Sequence, residues 1–130
     1  MKLKTFGLAG IALCWSAGAA FAHHSFSMFD GNKTVSIAGT VVQYEWSNPH
    51  MWLHMMAPDT EGKTYRWSLE MGGPAQLSQR GWAPDTVAPG DKVTVTMHPL
   101  KDGSHGGQLL SIVLPSGKRL TQLKEDQPGQ

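Results

Sequence analysis

Cysteine is almost missing from this sequence, and its scarcity limits the chemistry that the protein can perform. The single cysteine, Cys14, lies within the first 22 residues, so the rest of the chain contains no thiol. A domain without thiols forms no disulfide bonds, and thiol catalysis or a cysteine metal site is excluded. A soft metal ion bound by the remaining chain would need histidine and methionine ligands.

Long hydrophobic runs are absent as well. The N-terminal apolar stretch follows Lys2 and Lys4, is short and glycine-rich, and ends in an Ala-x-Ala sequence at Ala22. This arrangement is typical of a secretory signal peptide rather than of a spanning helix. We therefore predict that residues 1–22 are removed and that the protein is exported to the periplasm without a membrane span. Lipidation at Cys14 is an alternative that the large residue before this cysteine disfavours.

An excess of charge of either sign is missing too. The formal net charge is +1 for the full chain, and loss of Lys2 and Lys4 changes it to −1. Proteins that bind nucleic acids or anionic membranes present a basic surface, so near neutrality argues against a nucleic-acid partner. Residues 23–123 are then expected to form one small domain with a single core, followed by a disordered polar tail at 124–130.

What the sequence does contain is a series of short strand-like segments separated by proline and glycine. Strands are predicted at 35–46, 50–56, 64–71, 92–98 and 108–114. A short helix is predicted at 74–80, and Gly39 is expected to mark a bend or bulge in the first strand. This order predicts a mainly β fold, a small five-stranded Greek-key barrel of the oligonucleotide/oligosaccharide-binding (OB) type. An immunoglobulin-like sandwich, the runner-up, needs more strands.

Two adjacent histidines begin the mature chain if cleavage follows Ala22. A terminal His23 offers its α-amine and a ring nitrogen to one ion, and His24 or another imidazole completes a nitrogen site suited to Cu(II). His50 follows the turn at Asn48-Pro49 and is a candidate for that further imidazole. The alternative is that the paired histidines are solvated and bind nothing.

The segment NPHMWLHMM, residues 48–56, concentrates histidine and methionine. Alternate side chains of a strand share a face, so Met51, Leu53 and Met55 are expected in the core. The opposite face then carries His50, Trp52, His54 and Met56. Histidines four residues apart on a strand are separated by about 13 Å, too far to chelate one ion without help. This face is therefore either a partly solvent-exposed surface or part of a metal site.

Four tryptophans follow the signal region. Trp67 and Trp82 are expected in the core, whereas Trp46 and Trp52 flank the Asn48-Pro49 turn and fit either the core or a ligand-binding surface. Ser25, Ser68 and the remaining Asp residues form no recognisable catalytic triad. His105 lies in a polar, glycine-rich loop and is expected to be solvated.

Several short motifs occur together in this chain: His23-His24-Ser25-Phe26, Gly39-Thr40-Val41, Trp46-Ser47-Asn48-Pro49-His50, Gly81-Trp82 and Pro89-Gly90-Asp91. In combination they resemble a family of small exported bacterial proteins whose mature chains begin (Ala-)His-His-Ser-Phe, known as a domain of unknown function. The resemblance covers nearly the whole chain after residue 22 and implies a shared exported domain, but no activity. The residue types also resemble those of periplasmic copper and silver chaperones, small five-stranded barrels that hold Cu(I) with His, Met and Trp, although the spacing differs.

These observations leave three classes of function. The favoured class is a small exported β-barrel binding protein that holds copper through an N-terminal histidine, with His23, His24, His50 and His54 as candidate metal ligands. The alternative is a metal-free interaction or carbohydrate-binding module, with Trp46, Trp52 and Met56 as candidate contacts. A copper-dependent oxidative enzyme is less favoured, because such enzymes need a broad substrate face on a larger sandwich. The partner is expected to be an unknown protein or small ligand.

Overall fold

Six strands and one short helix make up residues 26–123, the part of the chain that this computed structural model describes. The strands are β1 (Val35–Glu45), β2 (Trp52–Pro58), β3 (Thr64–Glu70), β4 (Lys92–Pro99), β5 (Gly106–Val113) and β6 (Arg119–Thr121), and the helix α1 is Pro74–Ser78. The predicted signal peptide, His23, His24 and the predicted tail at 124–130 lie outside the described residues.

Hydrogen bonding between strands closes the first five strands into a barrel. β1 pairs antiparallel with β2 and β4, β2 pairs antiparallel with β3, and β4 pairs antiparallel with β5. A parallel pairing of residues 68–70 in β3 with residues 106–108 in β5 completes the ring. This strand order, with α1 between β3 and β4, is that of the OB-type Greek-key barrel, so the predicted fold class is confirmed.

β1 is long because it serves two neighbours. Its first half pairs with β4, its second half pairs with β2, and Thr40 takes part in both pairings. Gly39 lies at this change-over, where an added Cβ would collide with the carbonyl oxygen of Met56 and come within 2.9 Å of the Ala57 Cβ. Glycine is thus required here for the close approach of two strands.

The bulge in β1 lies three residues beyond the glycine expected to mark it. The register with β2 shifts between the pair Val41–Met55 and the pair Gln43–His54, which leaves Val42 as the extra residue. A bulge increases the local twist and bends the strand, which helps a small sheet to curl into a barrel. The sequence therefore correctly predicted a distortion in β1, but the bulge lies at Val42 and not at Gly39.

The core is built from alternate side chains of the strands. In β2, Leu53 and Met55 are fully buried whereas Trp52 and His54 are not, as the alternation predicted. The fully buried side chains of the wider core include Met51, Leu53, Met55, Leu69, Leu77, Met97, Leu109 and Ile112. Leu77 comes from α1, so this short helix contributes a side chain to the core.

The two tryptophans predicted to be core residues are buried. The indole N–H of Trp67 donates to the Ala57 carbonyl at 3.1 Å, and that of Trp82 donates to the Thr121 carbonyl at 2.9 Å. Each ring thus fills the core while its polar atom is satisfied, as burial of an indole requires. The Trp82 bond also ties the chain after α1 to β6.

Most of the predicted elements begin or end one or two residues away from the predicted positions. β2 begins at Trp52 rather than at residue 50, because residues 46–51 form the loop from β1 to β2. α1 ends at Ser78, and β6 was not predicted, since it is three residues long and buries only Leu120. Within residues 26–123, no helix has the length and apolar character needed to cross a bilayer.

Candidate functional site

Outward-pointing side chains of the first three strands form one continuous polar and aromatic surface, the β1–β3 outer face. Its members are Gln43, Glu45, Trp52, His54, Met56, Arg66, Ser68 and Glu70. They share this face because side chains alternate along each strand and the pairing places like-facing residues opposite each other. In OB-type barrels, ligands bind on the face formed by strands β2 and β3 and at the neighbouring loops.

The loop from β1 to β2 holds His50 at the end of β3. The Ser47 hydroxyl donates to the His50 carbonyl at 2.9 Å. The Met51 N–H donates to the Gly72 carbonyl at 3.2 Å, and the Met51 carbonyl accepts from the Met71 N–H at 2.9 Å. Because the Met51 side chain is fully buried, the loop is fixed both by hydrogen bonds and by packing. The position of His50 is therefore determined by the barrel itself.

His50 is paired with a carboxylate. Its Nδ1 lies 2.6 Å from Oε1 of Glu70, whose side chain is 13 % exposed, whereas the His50 side chain is 34 % exposed. Among the described residues, no hydrogen bond is made to the other ring nitrogen, Nε2. A carboxylate on one ring nitrogen is the usual arrangement that orients a histidine for binding a metal through the other.

A cleft of about 90 Å³ opens beside the His50–Glu70 pair. Its walls include Phe26, Phe29 and Gln108, together with residues that follow β3. Phe26 is the first described residue and its side chain is exposed. The chain that enters the barrel therefore borders the same cleft as His50.

His54 is held at both ring nitrogens. Its Nδ1 lies 2.9 Å from the Ser68 hydroxyl oxygen, and its Nε2 lies 3.2 Å from Oε1 of Glu45. The Trp52 indole lies parallel to the imidazole, with 6.2 Å between ring centroids and 4° between planes. Ser68, His54 and Glu45 thus form a hydrogen-bonded line across three strands.

The sequence expectation concerned Ser68 only together with aspartate residues, and it did not predict this line. Glu45 and Ser68 were missed because they come from different strands, and only the register brings them to His54. The one usable signal is the β2–β3 hairpin, whose turn at 59–63 places His54 opposite Ser68 once its register is known.

The two histidines of the predicted second strand do not share a site. His50 contacts Glu70, and His54 contacts Glu45 and Ser68. Between residues 26 and 123, no three His, Cys, Asp or Glu side chains are grouped so that they could hold a metal ion. His23 and His24 lie outside this range, so the copper site stays a prediction.

The three predicted ligand-binding side chains are placed differently. Trp46 is half-buried, packs against the core and makes an edge contact with Tyr44 at 6.3 Å between centroids. Trp52 and Met56 lie on the β1–β3 outer face, and Met56 is one of the exposed large apolar side chains. Trp52 and Met56 are thus accessible together, whereas Trp46 forms part of the scaffold.

His105 is less exposed than its loop suggested. Its ring stacks on Tyr65 with 3.9 Å between centroids and makes an edge contact with Trp67 at 4.9 Å, and its carbonyl accepts from the Ser68 N–H. The expectation of a solvated side chain was wrong because the parallel pairing of β3 and β5 brings this loop onto the barrel. His105 is not among the residues that line the cleft.

Among residues 26–123, two groups away from these histidines have shifted pKa values. Burial raises the pKa of the Tyr44 phenol well above its usual range, the Asp85 carboxylate adds to this shift, and the hydroxyl donates to the Ala83 carbonyl. Hydrogen bonds from Ser104, the side-chain bond first, lower the pKa of the exposed Asp102 carboxyl. Tyr44 therefore stays protonated and Asp102 stays ionised at neutral pH, and both serve local structure.

Comparisons with known proteins place the chain in a family. No curated protein matches it. Among solved structures it is similar to the mitochondrial single-stranded DNA binding protein Rim1 from S. cerevisiae, with 16 % identity, a TM-score of 0.45, and coverage of 63 % of this chain and 93 % of that one. This likeness carries no argument about ligands, and the prediction that no nucleic acid binds stays a prediction. Residues 12–109 match the profile of a family of unknown function, DUF6152, and because the match spans most of the sequence, the chain belongs to that family.

Proposed function

We propose that this protein is an exported, periplasmic OB-type binding domain that holds copper between its N-terminal histidine and His50. The proposed ligands are the α-amine and imidazole of His23 and the Nε2 of His50. The observation that carries the proposal is the His50–Glu70 pair at 2.6 Å beside a cleft that Phe26 also borders. Export rests on the signal-like pattern of residues 1–22.

The length of chain between His23 and the cleft is compatible with this site. Two residues lie between His23 and Phe26, so the two are three residue steps apart, and three steps span at most about 11 Å. Phe26 borders the cleft, so a chain that begins at His23 has its terminus within reach of the His50 ring. Any additional residue before His23 would move the free amine away from the imidazole next to it.

The donor set favours Cu(II) over harder ions. His23 supplies two nitrogens and His50 a third, and Cu(II) prefers such imidazole and amine donors in a tetragonal arrangement. Glu70 acts behind His50, where its carboxylate orients the ring so that Nε2 is left for the ion. His24 is an alternative second imidazole. His54 could bind the ion only by giving up its bonds to Ser68 and Glu45, so we rank it last.

The alternative function is a metal-free interaction or carbohydrate-binding module. Trp52 and Met56 favour it, because both lie on the β1–β3 outer face, at the two ends of a row that also contains polar groups. An aromatic ring beside hydrogen-bonding side chains is a common surface for a sugar or an extended peptide. Metal titration separates the two functions, since only the first requires copper.

The copper site is tested by replacing His50 in protein whose N-terminus is His23. We expect His50→Ala to weaken Cu(II) binding by roughly tenfold or more, the scale for loss of a ligand or its support. His105→Gln is the matched control and should bind copper like the wild type, because its ring lies outside the cleft. Isothermal titration with Cu(II) measures both variants. Equal affinities for wild type and His50→Ala would remove His50 from the site.

A further inference from the structure

The line of Ser68, His54 and Glu45 on the β1–β3 outer face has the connectivity of a nucleophile, a base and an orienting carboxylate. The Ser68 hydroxyl oxygen lies 2.9 Å from one ring nitrogen of His54, and the Glu45 carboxylate lies 3.2 Å from the other. Both distances are within the range at which such groups exchange or hold a proton. The His54 side chain is 14 % exposed, so its ring is largely shielded from water.

The ring of His54 is also restrained in a way that a surface histidine is not. Trp52 lies parallel to the ring, and hydrogen bonds at both ring nitrogens restrain its position. With Glu45 accepting the proton on Nε2, the tautomer leaves Nδ1 as the acceptor of the Ser68 hydroxyl proton. This is the protonation state in which a histidine acts as a general base toward a hydroxyl.

We propose that Ser68 is a nucleophile for acyl transfer from small activated carboxylic esters, with His54 as its base and Glu45 as the positioning carboxylate. This activity is distinct from the copper site and uses neither of its first-ranked ligands, His23 and His50. It requires that His54, ranked last as a ligand, keeps its bonds to Ser68 and Glu45. Ester substrates fit because the half-buried Trp52 beside the line offers an apolar surface for an acyl or aryl group.

The reaction follows from the contacts. The Ser68 oxygen forms a bond to the ester carbonyl carbon while its proton moves to Nδ1 of His54. The carbon–oxygen bond to the leaving alcohol then breaks, and that alcohol takes the proton from His54. Water attacks the acyl-serine by the same route, which releases the acid and restores the Ser68 hydroxyl. Each proton is returned, and no oxidant or metal is needed.

When Ser68 attacks, negative charge develops on the ester carbonyl oxygen, and a side chain must supply the hydrogen-bond donor that stabilises it. The Ser68 N–H is already bonded to the His105 carbonyl at 3.2 Å and is unavailable. Arg66 lies two residues away on the same face and uses one nitrogen on Gln43 at 3.1 Å. Its remaining guanidinium donors are assigned to the oxyanion. One exposed cation is a weaker device than two fixed backbone donors, so turnover is expected to be slow.

A fluorophosphonate probe tests the nucleophile without depending on turnover. Attack by the Ser68 oxygen forms an oxygen–phosphorus bond, releases fluoride and passes the proton to His54, leaving a stable adduct. We expect one adduct per chain, located at Ser68 by peptide mass spectrometry and lost in Ser68→Ala. His54→Gln should slow labelling by roughly 10²-fold or more, the scale for loss of a general base.

The controls separate a reactive serine from an ordinary one. Ser36 also lies on a strand and donates to the Val95 carbonyl, so Ser36→Ala should label like the wild type. Thermal unfolding followed by circular dichroism shows whether each variant is folded. Release of p-nitrophenol from p-nitrophenyl acetate should fall in Ser68→Ala and persist in Ser36→Ala. Labelling of Ser68 in the wild-type chain no faster than that of Ser36 would overturn the proposal, whatever the variants do.

Discussion

Glu70 shows at the scale of one residue how the barrel prepares a surface histidine for a task. Its carboxylate is largely buried at the end of β3. It contacts the ring of His50, which the loop from β1 to β2 holds in place. An ionised carboxylate fixes the ring orientation and adds electron density to it, and both effects favour a bond from Nε2 to a metal. An exposed glutamate elsewhere on the barrel would provide neither.

Replacing Glu70 by glutamine tests this role. Glu70→Gln keeps the size and one hydrogen-bond acceptor but removes the charge, so we expect Cu(II) affinity to fall by roughly 10- to 100-fold. Glu61→Gln, in the exposed β2–β3 turn, is the control with the same change of charge and should bind like the wild type. Competition titration against a copper chelator gives both values. Equal losses in the two variants would mean that only the overall charge matters.

β1 shows at the scale of an element how one strand can shape the barrel. It exchanges partners near Thr40, and Gly39 allows β2 to approach at that point without a side chain between the strands. The bulge at Val42 then returns Gln43 and Glu45 to the outer face beside His54. The β1–β3 outer face therefore depends on two backbone features of β1 as well as on its side chains.

Gly39→Ala tests the close approach. Its Cβ would meet the carbonyl oxygen of Met56, so β1 and β2 must separate, and we expect the free energy of unfolding to fall by about 1–3 kcal/mol. At Gly31, an added Cβ meets nothing within 4 Å, so Gly31→Ala should change stability by less than about 0.5 kcal/mol. Urea denaturation of both variants measures the difference. A neutral Gly39→Ala would show that the strands adjust freely there.

Strand alternation was predictable from sequence, but strand pairing was not. The apolar period of two in residues 50–56 correctly separated Leu53 and Met55 from Trp52 and His54, because burial on one face imposes that period. Which residues meet across strands depends on loop lengths and on the bulge at Val42. These features carry little local sequence signal, and Glu45 and Ser68 were missed for this reason.

At the scale of the whole molecule, closure of the barrel determines which loops lie beside the candidate site. The parallel pairing of β3 with β5 brings Gln108 to the wall of the cleft and places His105 against Tyr65. Gln122, buried after β6, accepts from the Gly72 N–H at 2.8 Å and donates to the Leu109 carbonyl, so it joins the chain after β3 to β5. The order of the elements was enough to predict the fold class. These long-range contacts could not be predicted from that order, because they form only when the barrel closes.

The central claim is that copper is held by a free N-terminal His23 together with His50. The most direct measurement compares Cu(II) affinity of exported protein, shown by intact mass to begin at His23, with that of a form carrying one extra alanine before it. We predict that the extension weakens binding by roughly tenfold or more, because the amine can no longer chelate together with the His23 ring. Equal affinity in the two forms, or binding no tighter than about micromolar in the processed form, would contradict the account.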